Sequence, residues 1–211
     1  MPKLCDRKKE MVEELMKQAI YSASLQVLDQ GWSGFTMDRV AEQAGISKGT
    51  VYNYFRDKAE LILYIADQLA KEEEQRISSL RKQNASCSVA FEEILRSELK
   101  ERQAQANIIT SIIHAFHQEP RLRDVALKDS LPLVRIRNHW STLLQAGMEN
   151  GEFASYDCDV MAVVLTSILM GCSRQWAEED LCIPSSVVAD NIIKVLRNGL
   201  FSGEEIADET Y

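Results

Sequence analysis

Apolar residues recur along this chain at helical rather than strand spacing. Between Met11 and Gln30, the positions Val12, Leu15, Met16, Ala19, Ile20, Ala23 and Val27 fall on one helical face, and Gly31 follows as a terminator. Met37, Val40, Ala41 and Ala44 repeat the i, i+3, i+4, i+7 stripe over a shorter stretch. Thr36 stands where an N-cap is needed, and Gly45 where a left-handed residue ends a helix. Ser47 caps another short segment, with Val51 and Phe55 on its inner side and Gly49, Thr50 and Asn53 opposite. Asp57, with Glu60 three positions later, opens a helix predicted to run to about Leu80 through Leu61, Tyr64, Ile65 and Leu69.

The pattern continues after a polar break at Asn84 to Ser88. Phe91, Ile94, Leu95, Leu99 and Arg102 restart the spacing, and Ile108, Ile109, Ile112, Ile113 and Phe116 carry it to Glu119-Pro120. Arg121 to Glu149 reads as a long helix that Pro132 kinks or divides, closed by Asn150-Gly151. Val160 to Trp176 is apolar nearly all round, so it needs cover on several sides. The last helix, after Pro184, presents a broad apolar face that includes Val187, Ile192, Val195, Leu196, Leu200 and Phe201. Ser202 to Tyr211 reads as a frayed acidic tail. No strand-like alternation competes, so the fold class is all-α. Two units are expected: a three-helix head over residues 1–57 and a larger helical body over 58–211.

Within the head, the two short helices joined at Gly45 form a helix-turn-helix. Its second helix carries the small polar outer face that a helix lying in a DNA major groove requires. Gly49 costs that helix about 1 kcal/mol relative to Ala, and close approach to DNA supplies a reason for it. The run Phe35-Thr36, then Val-Ala-x-x-Ala-Gly-Ile-Ser-Lys-Gly-Thr-Val-Tyr-x-Tyr-Phe over 40–55, then Asp57-Lys58-x-x-Leu61, resembles the DNA-binding domain of TetR/AcrR-family transcriptional regulators. The resemblance covers about residues 10–65. Beyond it, only length, helical patterning and a Gly147-to-Phe153 turn are similar to the family.

Charge refines this picture. The chain holds 24 Lys and Arg against 32 Asp and Glu, a net charge of −8, with a pI near 5.0. The deficit is uneven: residues 1–58 carry 9 basic and 8 acidic side chains, a net of +1, and the remainder carries −9. A local basic surface can therefore meet phosphate although the whole is acidic. Arg7, Lys8 and Lys9 form the densest basic group, either a solvated arm or one that touches phosphate. Five scattered cysteines without a CxxC pair fit a reduced compartment. There is no amino-terminal signal pattern, and the longest nearly apolar run, Val160 to Cys172, is 13 residues against the roughly 20 of a membrane span. A soluble, cytoplasmic protein with no membrane role is expected.

The candidate DNA-binding residues follow. Lys48 sits in the first turn of the second helix, suited to a phosphate or a guanine edge. Thr50 faces the same way, Tyr52 and Tyr54 offer hydroxyls to phosphate, and Asn53 has donor and acceptor for a base edge. Tyr54 reads equally as a ring packed on the first helix. Arg39 lies on the outer side of the preceding helix and adds a base or phosphate contact. The resemblance implies DNA contacts at Thr36, Lys48, Gly49, Thr50, Tyr52, Tyr54 and Lys58. Trp32 and Phe35 read as core or lid.

TetR-like proteins generally keep a ligand cavity in the larger domain. Phe116, Arg137, Trp140, Met148, Met161 and Trp176 are its candidate lining here, each with plain core as the alternative. His114 and His117, with His139 or a cysteine, are a minor metal reading; Glu72-Glu73-Glu74 reads as a solvated face. The last two helices are expected to meet their copies in a twofold four-helix bundle, as the resemblance also implies. No catalytic motif or cofactor site is present. The expected function is a homodimeric repressor, released from a pseudo-palindromic operator in double-stranded DNA by a small lipophilic effector. The alternative is a DNA-binding regulator controlled by a protein partner, a metal or redox state.

Overall fold

Three capping side chains define the amino-terminal helices. The computed structural model describes residues 4–122, 132–178 and 182–198, and among these every regular element is helical. Helix α1 spans Leu4–Asp29 and ends where Gly31, at φ 104°, donates to the Leu28 carbonyl. It starts well ahead of Met11, so the basic group at residues 7–9 is helical rather than a loose arm; Lys, Arg and Glu are good helix formers and no breaker intervenes. Met11, Val12 and Leu15 are exposed, and burial on α1 begins only near Ile20. The expected stripe is thus real as a helix but extends past the core that covers it.

After a 3₁₀ turn at Trp32–Gly34 come α2, Met37–Ala44, and α3, Lys48–Tyr54. Thr36 Oγ1 accepts from the Arg39 N–H at 3.2 Å, Ser47 Oγ from the Thr50 N–H at 3.1 Å, and Asp57 Oδ1 from the Glu60 N–H at 2.9 Å. Gly45 takes the left-handed conformation, φ 67°, that ends α2. Phe35, Val40, Val51 and Phe55 fill the head core with Ile20 and Leu28 of α1.

Helix α4, Lys58–Gln83, is 26 residues long, about 39 Å at 1.5 Å per residue. Its first part, with Leu61, Ile62 and Ile65, is packed into the head core. Ala70 and Ile77 belong to a second core, with α5 (Cys87–Ala104), α7 (Pro132–Glu149), α8 (Cys158–Glu178) and α9 (Ser185–Asn198). Helix α6, Ala106–Gln118, lies between, and its Ala115 is buried in the head core.

Pro132 opens α7, where a missing N–H costs nothing; residues 123–131, the start of the expected long helix, lie outside the described residues. So do Leu200, Phe201 and the expected tail at 202–211. Trp140 of α7 is buried edge-on to Phe91 at 5.4 Å, and Phe153 meets the same ring at 5.9 Å. Gly147 permits that last contact, because a Cβ there would lie 2.1 Å from the Phe153 ring.

Helix α8 is 21 residues long and reaches a mean hydropathy of 1.3, long and apolar enough by those measures to cross a membrane, unlike the 13-residue run read from sequence. Its packing is one-sided: Ala162, Leu165 and Leu169 are buried in the body, whereas Val160, Val163, Val164 and Ile168 are exposed. Thr166, Ser167 and Ser173 return their hydroxyls to helix carbonyls.

The turn between α7 and α8 is tied to α5 by one carboxylate. Glu152 accepts from Ser86 Oγ at 2.6 Å and from the N–H groups of Cys87 and Ser88 at 2.9 and 3.0 Å. The Ser86 bond first, then the two amides, hold its pKa down at about 2 against an ordinary 4.5. A lowered folded-state pKa stabilises the protein above the unfolded value and ceases to do so as pH falls through the folded one. Glu152→Gln is therefore expected to lower the thermal midpoint at neutral pH, with the gap to the parent closing between pH 4.5 and about 2, as scanning calorimetry across that range would read.

Candidate nucleic-acid interface and internal cavity

Helix α3 is short and presents an outer face with little bulk. Lys48, Gly49, Tyr52 and Asn53 are exposed on it, and Thr50 is half-buried with its Oγ1 2.8 Å from Ser47 Oγ. A Cβ at Gly49 would meet only Ser47 Oγ, at 3.8 Å, so nothing inside the protein demands glycine there. Lys48 Nζ lies 2.6 Å from Asp38 Oδ1, a bond that raises its pKa, and 5.9 Å from the Tyr52 ring. Thr36 is exposed at the start of α2.

Three other candidates are engaged by the head itself. Arg39 Nη1 donates to the Gly34 carbonyl at 3.0 Å and Nη2 to Gln30, bracing the turn after α1. Gly34 is needed for this, since a Cβ would lie 2.2 Å from Nη1. Lys58 Nζ sits 3.3 Å over the Trp32 ring and 5.5 Å from that of Phe35, and burial lowers its pKa. Tyr54 is half-buried against the head core. Phe35 is core and Trp32 a lid on it, stacked at 5.8 Å.

Between α4, α5 and α6 lies a cavity of about 330 Å³. Leu69, Ile109, Ile112, Ile113, Phe116 and Met170 form its apolar wall. Of the six residues expected to line a ligand cavity, Phe116 does so and the other five do not. Trp140 is core, Met148 and Met161 pack beside that core, Trp176 donates to the Ile183 carbonyl at 2.9 Å, and Arg137 is half-buried elsewhere on α7. Bulk and apolarity alone could not separate core positions from lining ones.

Of the polar groups the sequence suggested for such a cavity, Arg137, His114 and His117, only His117 lines it; the charged lining from α4 and α5 was not anticipated. Arg76 Nε and Nη2 donate to Glu98 Oε1 at 3.1 and 2.6 Å, and Arg102 Nη2 donates to Glu73 Oε1 at 3.1 Å. Arg102 Nε is buried without a hydrogen-bond partner, 3.8 Å from Glu98 Oε2. Glu98 and Arg102 are 1% and 4% exposed, which makes this a buried ionic cluster. Burial and then Glu73 push the Glu98 carboxyl above its ordinary range, while Arg76 and Arg102 pull it back. The signal was in the sequence: Glu98 and Arg102 continue the stripe of Phe91 and Leu95, charged residues at core positions.

Glu72, Glu73 and Glu74 are accordingly not a merely solvated face. Glu72 accepts from the Tyr21 hydroxyl at 3.1 Å, Glu73 is held by Arg102, and Glu74 lies 2.8 Å from Arg135. Glu73 and Glu74 are half-buried because their cations lie on neighbouring helices, while Glu72 stays exposed. His114 is half-buried with its Nε2 3.1 Å from Glu178, His117 lines the cavity and His139 a shallow groove elsewhere. Among the described residues no group of three or more metal-ligating side chains gathers.

Head and cavity are mechanically joined. Helix α6 lines the cavity with Ile109, Ile112 and Phe116, while its Ser111 donates to the Leu28 carbonyl at 2.9 Å and its Gln118 accepts from Trp32 Nε1 at 3.0 Å. Arg121 pairs with the α4 cap, Asp57.

Residues 20–65 match the family described as bacterial regulatory proteins, tetR family. The head is thus similar to the DNA-binding domain of that family. Proteins of the family are transcriptional regulators, not enzymes. An HTH-type transcriptional regulator of Bacillus subtilis, YhgD, is 22% identical over 82% of this chain and 90% of its own length. Solved structures share the fold well beyond the head. The fatty acid degradation regulator FadR from Bacillus halodurans superposes with a TM-score of 0.76 at 20% identity, covering 89% of this chain and 97% of that one. FadR from Bacillus subtilis, in complex with stearoyl-CoA, gives 0.73 at 17% identity over 87% and 99%. FadR from Thermus thermophilus, in complex with lauroyl-CoA, gives 0.67 at 16% identity over 92% and 100%.

The buried ionic cluster sets a stability test. Removing one partner of a buried pair leaves the others uncompensated, so Arg102→Met is expected to cost about 3–5 kcal/mol in urea unfolding. Adding Glu98→Gln should recover part of it, since the second change removes a stranded carboxylate.

Proposed function

We propose that the chain is a ligand-responsive repressor that binds a pseudo-palindromic operator as a homodimer and is released by a small lipophilic effector. The observation that carries this reading is that α4 and α6 each border the cavity and also touch the head, so occupancy of one bears on placement of the other. An effector shifts that balance only by its differential affinity for the two arrangements. The division at residue 57 then separates reader from sensor, with α4 as the connecting element. The cytoplasm, where the DNA is, is its place of work.

In this reading α3 enters the major groove. Gly49 lets the backbone approach, Thr50 and Asn53 address base edges, and Lys48, Tyr52 and Tyr54 hold phosphates. Thr36 meets phosphate from the start of α2. Arg39 and Lys58 reach DNA only by leaving Gly34 and Trp32, so their contribution is smaller.

Dimerisation through α8 and α9 covers the exposed Val160, Val163, Val164 and Ile168 and, on α9, Val187, Val195 and Leu196. A twofold axis there brings two heads to sites about 34–36 Å apart, one turn of DNA. The lipophilic character of the effector follows from the apolar wall, and the acyl-CoA complexes of the two FadR structures show that this fold admits such a chain in those proteins.

Two measurements test the reading. In gel shifts with selected DNA, Thr50→Ala with Asn53→Ala should lose sequence preference by about 1–3 kcal/mol per base contact, while Lys48→Ala weakens binding to all sequences and shallows its salt dependence. Unchanged affinity and preference would sink the assignment. In sedimentation, Val164→Glu with Ile168→Glu should give a folded monomer, and a persistent dimer would refute the interface.

A further inference from the structure

We propose that the cavity selects a lipophilic cation, and that Glu72 reports its arrival to the head by giving up the Tyr21 hydroxyl. This rests on reading the cavity as the effector site and specifies the charge of what enters it. Four acidic side chains line the space, Glu72, Glu73, Glu98 and Glu101, against two guanidiniums, Arg76 and Arg102, so an acidic surplus remains even with the Glu98 carboxyl, which burial pushes up, counted as neutral. Both guanidiniums are already committed, Arg76 to Glu98 at 2.6 Å and Arg102 to Glu73 at 3.1 Å. Glu72 and Glu101 are the carboxylates this pairing leaves over.

Consider the three possible head groups. A carboxylate or phosphate at a guanidinium either displaces Glu98 or Glu73 from its pair or, at the unpartnered Arg102 Nε, stands beside Glu98 Oε2, 3.8 Å from that nitrogen. A neutral head gains nothing from the field. A cation is drawn by the surplus and pairs with Glu72 or Glu101 without breaking either existing ion pair. Arg102 Nε, buried without a hydrogen-bond partner, suits a neutral acceptor beside that cation, because Glu98 Oε2 stands 3.8 Å away.

The link to the head is a single hydrogen bond between α1 and α4. Tyr21 is 3% exposed, and its hydroxyl donates to Glu72 Oε1 at 3.1 Å. Glu72 itself is exposed, at the rim of the cavity, where an entering cation meets it. Pairing of Glu72 with that cation competes with Tyr21, leaves a buried hydroxyl short of an acceptor and loosens α1 from α4.

The test compares three probes of one chain length on the full-length protein below their micelle concentrations: dodecyltrimethylammonium, dodecanoate and 1-dodecanol. Isothermal titration should give the ammonium at least about tenfold tighter binding than the other two, a margin that Glu72→Gln with Glu101→Gln erases. Tyr21→Phe, which keeps the ring, should tighten the ammonium a few-fold while reducing its effect on operator binding, because the competition is gone. The inference is overturned if dodecanoate or dodecanol binds as well, if none of the three binds, or if the preference survives in the double variant. Release of operator by lauroyl-CoA but not by the ammonium would also overturn it and leave the repressor reading intact. A selective ammonium that leaves operator binding unchanged would instead overturn release by this effector and with it the role of Glu72.

Discussion

One helix belongs to two hydrophobic cores at once, and the rest of the molecule depends on it. The amino-terminal part of α4 is packed with Leu61, Ile62 and Ile65 among the residues of the head, and its later turns place Ala70 and Ile77 in the body. An α-helix bonded along its length resists bending, so a tilt imposed at one end is carried to the other. Head and body therefore cannot relax independently. The Asp57 cap fixes where that helix begins, and Arg121 from beyond α6 pairs with the same carboxylate.

Around this shared element the charges are arranged in a way their surroundings explain. Glu72, Glu73 and Glu74 occupy successive positions on α4 and turn to three different partners, Tyr21 in the head, Arg102 on α5 and Arg135 on α7. Each buried charge needs a counter-charge or a donor, and so each of these contacts also specifies how a neighbouring helix sits. The cavity is bounded by the same groups. Its apolar wall comes mainly from α6, with Leu69 of α4 and Met170 of α8, and its ionic side from α4 and α5, which is why the cavity and the connecting helix are one structure.

Legibility differed between the two halves. Thr36, Gly45, Ser47 and Asp57 act within four residues of themselves, and the structure has each cap where the sequence predicts it. The α3 face was equally local: Val51 and Phe55 inward, Gly49 and Asn53 outward. The body yielded its helices but not its cavity. Trp140 and Phe116 look alike as bulky apolar residues on helical stripes, yet one is core and one lines the space. Arg102 was visible as a stripe residue, but its charge had no stated partner until α4 was placed beside α5. The exposed stretch at Met11, Val12 and Leu15 shows the converse, a regular apolar stripe that none of the described residues covers.

By itself, then, the sequence determined the all-helical class, the helix-turn-helix and the residues its second helix turns outward, because caps, turns and periodicity are interactions between near neighbours in the chain. Only the tertiary structure decided which side chains surround the cavity, that Glu73 and Glu74 of the acidic row on α4 are held by arginines of neighbouring helices, and that Arg39 and Lys58 are held by Gly34 and Trp32. Those outcomes depend on which helices lie side by side. Helix adjacency is settled by packing among residues far apart in the chain, such as Arg76 with Glu98, 22 positions on, and Trp32 with Gln118, 86 positions on, and no local pattern encodes it.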